Sequence, residues 1–290
     1  MKFFIDNLGN YFHHLDFIKE AVIEADRLGF DGALMPDHYM WGVGGGMVRR
    51  PNANLTLDSW VMLTYLAAKT EQIRLGTMVT PIPFRPPGML AKMLSTLDVL
   101  SNGRVVLGVG AGWSQKEFEG YSEWNEPKVR VDKTVEGLEL MVQLWTQDEV
   151  TFEGQYYRAK GAVLEPKPVQ KPYPALLFGS RGNRMLRLAG KYGTICYFPH
   201  DRNPDIQTSE DHEVMKKKVV KAAERVNRAD EIAYMVGTRF PGVPYNEKEY
   251  FKKVELASKM GASYFLVSFD RGDLIDSLKQ FARDVMPSFR

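Results

Sequence analysis

Short apolar runs alternate with longer amphipathic runs along the whole chain. Short runs bounded by turn residues predict buried strands, and longer runs with apolar residues three or four positions apart predict helices. The predicted strands cover residues 2–6, 32–35, 73–79, 104–108, 175–178, 194–197, 231–236 and 263–267. The predicted helices cover residues 15–28, 57–70, 89–100, 131–145, 184–192, 213–226, 247–260 and 274–285.

Eight strand–helix units in succession predict parallel strands joined by right-handed crossovers. A closed barrel and a doubly wound open sheet both have this order. Because the units fill 290 residues without a linker rich in proline, serine or glycine, we predict an α/β fold, a (β/α)8 TIM barrel, with residues 1–290 in one domain. Residues 150–157 alternate with a period of two around a Glu-Gly pair, which predicts a small hairpin inserted before the fifth strand.

Composition and charge narrow the classes of function. Apolar residues make up 44% of the chain and charged residues 26%, which is ordinary for a soluble globular protein. The 38 Lys and Arg against 36 Asp and Glu leave a net charge of +2, so we expect no nucleic-acid partner and no membrane. The single cysteine, Cys196, cannot form an internal disulfide or a thiolate metal site. We therefore expect a cytoplasmic protein that acts on a small molecule.

The active site of a (β/α)8 barrel lies where the strands end at their C-terminal side. The residues that directly follow the predicted strands are rich in polar, glycine and aromatic types, which is the composition of a ligand pocket. They are residues 36–39, 80–81, 110–113, 179–182, 239–240 and 268–271. These segments predict the location of the site without any sequence motif.

His38 is the leading acid–base candidate among these residues. An imidazole side chain can in general give and take a proton at working pH. The alternative is a histidine that is hydrogen bonded beneath a loop and has no chemical role. Neighbouring Asp37 would either orient a cofactor ring or cap the following turn.

Two glycine-rich segments follow predicted strands. The Gly-Val-Gly-Ala-Gly run at 108–112 lacks the third glycine of a dinucleotide fingerprint, because Trp113 stands there. We interpret these glycines either as letting a flat ligand approach the backbone or as relieving crowding at the strand end. The Gly-Ser-Arg-Gly-Asn run at 179–183 predicts an anion site, since free N–H groups at a helix start would join the Ser180 hydroxyl and the Arg181 charge. Simple capping of that helix by Ser180 or Asn183 is the alternative.

Several other kinds of site are not indicated. The chain has no His-Glu-x-x-His, no Cys-x-x-Cys and no Gly-x-Ser-x-Gly motif, so we predict no metal site. A phosphate-ester enzyme that used only residues 179–182 would lack metal ligands and a convincing base. The run Lys216-Lys217-Lys218 lies in a predicted helix and is typical of a solvated face.

Several of these residues belong to a longer ordered set of motifs. The set runs from residues 25–32 into Pro36-Asp37-His38, and continues through residues 75–81, 85–87, 97–113, 144–145, 152–154, 179–180 and 186–189. In this order the motifs resemble the bacterial luciferase-like family, in particular its branch that uses the deazaflavin coenzyme F420. The resemblance covers most of the chain, is strongest over residues 20–195, and implies a (β/α)8 barrel.

The resemblance also implies roles for matched positions. Asp37 and His38 would lie beside the isoalloxazine-type ring, with His38 as the proton donor or acceptor. The Met78-Val79 pair matches a bulge at which related enzymes hold a non-prolyl cis peptide, and this bulge would support the ring. The other cofactor-binding positions lie along the ring and at its phosphate: Thr80, Ala111, Gly112 and Trp113 near the ring, and Gly179, Ser180, Arg181 and Gly182 at the phosphate.

One departure from the motifs of the resembled family bears on the identity of the substrate. The sugar-phosphate dehydrogenases of the F420 branch carry a glutamate where Trp113 stands, which argues against the same substrate here. We predict an oxidoreductase that transfers a hydride between coenzyme F420 and an unidentified small organic substrate. An FMN-dependent monooxygenase supplied by a separate reductase is the first alternative, and a barrel that binds a flavin without turnover is the second.

The resemblance further implies a homodimer, and a flavin or F420 reductase is a conceivable partner. Arg49 and Arg50, in a glycine-rich loop, would meet an acidic cofactor tail or the substrate. The substrate itself depends on the loops at 41–54 and 199–211, whose conformation the sequence does not determine.

Overall fold

The computed structural model describes residues 1–6, 8, 15–40, 57–198, 209–237, 244–269 and 273–290. Its strands are β1 (Lys2–Ile5), β2 (Gly32–Met35), β3 (Arg74–Thr77), β4 (Thr80–Pro81), β5 (Val105–Gly110), β6 (Val150–Glu153), β7 (Arg158–Ala162), β8 (Ala175–Gly179), β9 (Ile195–Tyr197), β10 (Ala233–Gly237) and β11 (Tyr264–Val267). Its α-helices are α1 (Leu15–Arg27), α2 (Ser59–Ala67), α3 (Pro87–Leu100), α4 (Gln115–Tyr121), α5 (Pro127–Thr146), α6 (Asn183–Tyr192), α7 (Ser209–Glu224), α8 (Glu247–Lys259) and α9 (Leu274–Asp284).

The large sheet closes into a barrel. Parallel pairing runs from β3 through β2, β1, β11, β10, β9 and β8 to β5, and β5 pairs with β3 to complete the circle. The short β4 continues the third barrel strand beyond an interruption at Met78 and Val79, and it also pairs with β5. The predicted (β/α)8 TIM barrel is therefore confirmed, and its strands fall on the predicted apolar runs.

The predicted hairpin is also present. Strands β6 and β7 pair antiparallel and form a separate two-stranded sheet between α5 and β8. This position precedes the fifth strand of the barrel, as predicted. The second strand of the hairpin, Arg158–Ala162, lies wholly beyond the alternating segment 150–157 from which the hairpin was predicted.

Alternation along the strands creates two apolar layers. One set of side chains fills the barrel interior, for example Phe4, Leu34 and Val106. The residues between them, such as Phe3 and Ile5, pack against the surrounding helices. The barrel is therefore packed shut through its middle, and open space is left for a ligand at the rim. Among the described residues, no helix is long and apolar enough to cross a membrane.

Candidate active site

A pocket of about 240 Å³ opens at the C-terminal ends of the barrel strands. Its lining comes from the segments that follow β2, β3, β5 and β8: Asp37, His38, Met78, Val79, Pro81, Phe84, Gly110, Ala111, Gly112, Trp113, Ser114, Glu117, Gly179, Ser180 and Met185. Most of the predicted site residues therefore meet around one space. Of the others, Thr80 is buried and bonded to Asp37, while Arg181 and Gly182 are exposed before α6.

Glu117 holds the imidazole of His38. Its Oε2 lies 2.7 Å from Nδ1 of His38, and the Glu117 side chain is only 2% exposed. Its other oxygen, Oε1, accepts hydrogen bonds of 2.9 Å from the backbone N–H groups of Tyr39 and Met40. One carboxylate thus fixes both the ring and the backbone that follows it.

The protonation of this pair follows from its surroundings. Burial disfavours the charged form of Glu117, but the hydrogen bonds from His38 and from the Met40 backbone outweigh burial and hold its pKa below the ordinary value. An ionised carboxylate only accepts hydrogen bonds, so Nδ1 of His38 carries the hydrogen. The other ring nitrogen, Nε2, is then the one that exchanges a proton with a ligand.

Asp37 lies at the base of the same pocket and is almost fully buried. Its Oδ2 accepts from Thr80 Oγ1 at 2.8 Å and from Arg85 Nη1 at 2.7 Å, while Oδ1 accepts from Arg85 Nη2 at 3.1 Å. Arg85 also donates to Asp58, the residue that caps the start of α2, at 2.7 Å. Burial disfavours the guanidinium charge, but the neighbouring carboxylates outweigh it and hold the pKa of Arg85 above its ordinary value. The Asp37 carboxylate therefore anchors the segment that carries His38.

The Met78–Val79 peptide bond is cis, at the position where the resemblance implied it. Two glycines of the adjoining strand β5 make room for this bulge. A Cβ added at Gly108 would lie 2.0 Å from the Thr77 carbonyl oxygen, and one added at Gly110 would lie 2.5 Å from Cγ2 of Val79. Relief of crowding, one of the two interpretations of these glycines, is therefore supported at both positions.

Gly112 has a different constraint from the strand glycines. Its φ is +79°, a left-handed conformation that favours glycine, and an added Cβ would lie 2.4 Å from the Phe118 ring. Arg130, from α5, donates to the Gly112 carbonyl at 3.2 Å and fixes the turn. The following Trp113 is 59% exposed, and its ring meets the His38 ring edge to face at 5.6 Å between centroids.

Ser180 brings an unsatisfied donor to the pocket. Its Oγ is buried and has no hydrogen-bond partner among the described residues. Helix α6 begins three residues later with Gly182 at the N-cap, and no side chain in the described part of the protein caps it. Asn183 instead accepts a hydrogen bond from Lys218, so the capping alternative for Ser180 and Asn183 is not supported. Gly182 faces open space, since an added Cβ would have no atom within 4 Å.

Two functional residues were missed by the sequence analysis. Glu117 lies on α4, a helix of seven residues that was not predicted, and its distance from His38 along the chain gives no local signal. The second missed residue is Arg85, since the proline pair after it indicates only a helix start. The ion pairs of Arg85 with Asp37 and Asp58 join residues far apart in the chain. The available sequence clue to Glu117 was a carboxylate four positions after the Gly-Ala-Gly-Trp segment at 110–113.

Some predicted segments lie outside the described residues. These are Arg49, Arg50, Arg239, Phe240, Asp270 and Arg271, together with residues 41–54 and 199–208 of the two loops. Within the described ranges, no three His, Cys, Asp or Glu side chains cluster as metal ligands would.

Comparison with known proteins gives the family. The profile described as luciferase-like monooxygenase matches residues 4–257, which is most of the chain. The chain belongs to the luciferase-like monooxygenase family. This family agrees with the resemblance on which the prediction was based.

Relatives in the family use two related cofactors. The chain is 34% identical over 186 residues to an F420-dependent glucose-6-phosphate dehydrogenase of Microbacterium testaceum, covering 63% of this chain and 52% of that protein. It is 32% identical over 220 residues to an enzyme of the same description from Nakamurella multipartita, covering 75% and 62%. It is 29% identical over 178 residues to an FMNH2-dependent dimethylsulfone monooxygenase of Pseudomonas putida, covering 61% and 47%. The chain thus spans about half to three fifths of the length of these relatives.

Solved structures agree with the fold. A monooxygenase from Streptomyces bottropensis has a TM-score of 0.80 at 18% identity, with complete coverage of both chains. An F420-dependent secondary alcohol dehydrogenase, solved with an F420–acetone adduct, has a TM-score of 0.78 at 21% identity and covers 100% of this chain and 99% of that one. At these identities the likeness establishes the barrel and nothing finer.

Proposed function

We propose that this protein is an F420-dependent oxidoreductase that transfers a hydride between the deazaflavin and a small organic substrate, with His38 exchanging the accompanying proton. One observation carries the proposal: the His38 imidazole and the unsatisfied Ser180 hydroxyl face one pocket. A site for a fused-ring cofactor with a phosphate would place an acid–base group beside the ring and hydrogen-bond donors beside the phosphate. The F420-dependent relatives support this choice of cofactor.

The residues present fit such a cofactor. Ser180 Oγ would donate to a phosphate oxygen, together with the uncapped backbone N–H groups at the start of α6. Exposed Arg181 would add a positive charge beside them. Gly110 and Gly112 line the same pocket, and neither position has room for a side chain.

The chain's own groups would hold and move the proton. When bound, the deazaflavin supplies the hydride acceptor or donor, which no side chain supplies. Glu117 fixes His38 with Nδ1 protonated, so Nε2 would accept the proton of an alcohol group or return it in the reverse direction. Asp37 acts as a positioning residue in this proposal, because both of its oxygens already bind Thr80 and Arg85.

Trp113 bears on the class of substrate. The resemblance implies a glutamate at this position in the sugar-phosphate dehydrogenases, and here an indole ring stands over His38 instead. An apolar wall beside the proton-exchanging group favours a less polar alcohol or carbonyl compound over a sugar phosphate. We therefore propose that substrate class.

The experiment is a fluorescence titration of the purified protein with F420 and with FMN, followed by the Ser180→Ala variant. We expect F420 to bind tightly and FMN weakly, and we expect Ser180→Ala to weaken F420 binding about tenfold, since one hydrogen bond to a charged group contributes ~1.5 kcal/mol. Tight FMN binding without F420 binding would instead support the FMN-dependent monooxygenase, which the Pseudomonas putida relative favours.

A homodimer is also part of the proposal. Helix α2 carries apolar residues on all sides, and Val61 and Tyr65 are exposed on its outer face. Met89 and Met93 are exposed on neighbouring α3. A helix that is apolar all round is normally buried on both faces, so a second copy of the chain would cover this surface. A reductase partner and a cytoplasmic location stay predictions.

A further inference from the structure

A second cavity lies outside the barrel, between α6 and α7, with a volume of about 500 Å³. We call it the basic groove, and it is lined by Asn183, Arg187, Lys218, Lys221, Ala222 and Arg225. Four of the six side chains are cationic and none is anionic. For a chain whose net charge is only +2, this is a strong local concentration of one sign.

These four cations lack carboxylate partners among the described residues, although other cations on α6 have them. Arg184 pairs with Asp132, and Lys191 lies 3.0 Å from Glu139. The two paired residues of α6 reach partners on α5, whereas Arg187 of α6 lines the groove together with Lys218 and Lys221 of α7 and Arg225 just beyond it. The side of α6 toward the groove is therefore electrostatically unsatisfied, whereas the side toward α5 is neutralised.

The walls of the groove are held in fixed positions. Gly190 of α6 packs directly against α7, where an added Cβ would lie 2.5 Å from the Val219 carbonyl oxygen. Lys218, Lys221 and Arg225 recur at three- and four-residue spacing and so lie along one face of α7 or its continuation. Seven residues of helix correspond to about 10 Å, so the cations form a row rather than a point.

The groove begins beside the proposed phosphate site. Lys218 Nζ donates to Asn183 Oδ1 at 2.9 Å, and Asn183 is the first residue of α6, directly after Gly182. A chain leaving a phosphate at Ser180 would therefore meet Lys218 first and then the rest of the row. An extended chain of about three residues spans 10 Å.

We propose that the basic groove binds the acidic tail of the cofactor, an inference that rests on the proposed function. Coenzyme F420 carries a chain of glutamates beyond its phosphate, whereas FMN ends at the phosphate. Successive carboxylates of that tail would pair with Lys218, Lys221 and Arg225 on one wall and with Arg187 on the other. The groove would thus select a tailed deazaflavin over FMN without contacting the ring.

The test compares ligands that differ only in the tail. The dissociation constants of F420 with several glutamates and of the same deazaflavin phosphate without glutamates are measured by fluorescence, for wild type and for Lys221→Ala/Arg225→Ala. We expect the double variant to weaken binding of the tailed cofactor about tenfold, since two exposed charge pairs contribute ~0.7 kcal/mol each, and to leave the tail-free ligand unchanged. The wild-type preference for the tailed form should shrink at high salt.

Lys217→Ala is the matched control, because Lys217 is exposed on the same helix and does not line the groove. Unchanged thermal unfolding of every variant verifies that the fold is intact. If wild type binds tailed and tail-free deazaflavin equally, or if Lys217→Ala weakens binding as much as the double variant, the groove proposal is overturned while the proposed function stands. If wild type binds FMN and neither deazaflavin, both are overturned.

Discussion

Glu117→Gln removes the charge behind His38 and keeps the size of the side chain. In the native protein the buried carboxylate accepts from Nδ1 of His38 at 2.7 Å and from two backbone N–H groups. The carboxylate accepts from these three donors with two oxygens. A neutral amide has only one acceptor oxygen, so it cannot accept from all three. We expect the amide oxygen to keep the backbone bonds and its NH2 group to face His38.

The expected loss of transition-state stabilisation follows from the difference between a hydrogen bond to an ionised group and one to a neutral group. A bond to an ionised group contributes about 1.5–3 kcal/mol and a neutral one about 1 kcal/mol, so the loss is about 0.5–2 kcal/mol where the imidazole gains charge during proton transfer. This corresponds to a decrease in kcat of about 2- to 30-fold. Binding of a phosphate at Ser180 should be unchanged, because Glu117 bonds His38 and the backbone of Tyr39 and Met40.

Two assays read the change. Nitrogen-15 NMR of the imidazole reports the tautomer without any substrate, and we expect Nδ1–H in wild type and a shift toward Nε2–H in Glu117→Gln. Turnover of a small alcohol identified by screening gives kcat. Glu119→Gln is the matched control, at an exposed neighbour whose side chain accepts a hydrogen bond from Gln115. An unchanged tautomer together with an unchanged kcat in Glu117→Gln would refute the assignment of Glu117 as the residue that positions His38.

Three further predictions test the surrounding structure. Arg85→Ala leaves two buried or half-buried carboxylates without their cation and should lower the free energy of unfolding by about 3 kcal/mol in urea titration; a change below measurement error would contradict the ion-pair network. Burial holds the pKa of His212 below its ordinary value of 6.5, so the unfolded chain takes up the proton first. Stability from this group should be complete above about pH 6.5 and should fall as the pH drops toward the lowered pKa, and His212→Phe should flatten that acid limb in unfolding measured from pH 7 to 5. An equally steep limb in the variant would disprove the role of His212. Val61→Glu combined with Met93→Glu should convert the proposed dimer to a monomer in analytical ultracentrifugation, and a dimer that persists would move the interface elsewhere.

The barrel could be predicted because its strands are short apolar runs separated by amphipathic helices, and this pattern is local. Even the rim location of the pocket followed, since parallel strands bring their C-terminal ends to one edge. His38 and Ser180 were found in this way from their positions alone. The resemblance added the Met78–Val79 bulge, which no period in the sequence indicates.

The other features of the candidate sites depend on long-range contacts that no local sequence pattern indicates. Glu117 lies 79 positions from His38 on a helix too short to show a helical period. The run of lysines at 216–218 was interpreted as a solvated face, and Lys217 and Lys218 are exposed. That Lys218 also lines the basic groove depends on the packing of α6 against α7, which the run itself does not indicate. The sequence does not distinguish the two interpretations of the glycines at 108–112, because the bulge that crowds Gly108 and Gly110 belongs to a distant segment of the chain.

A co-crystal structure with F420 tests the central claim most directly. We expect the deazaflavin ring to lie against Met78 and Val79 within hydrogen-bonding reach of His38, and the phosphate to accept from Ser180 at the start of α6. Density for the ring away from His38, or a phosphate on another side of the barrel, would contradict the account.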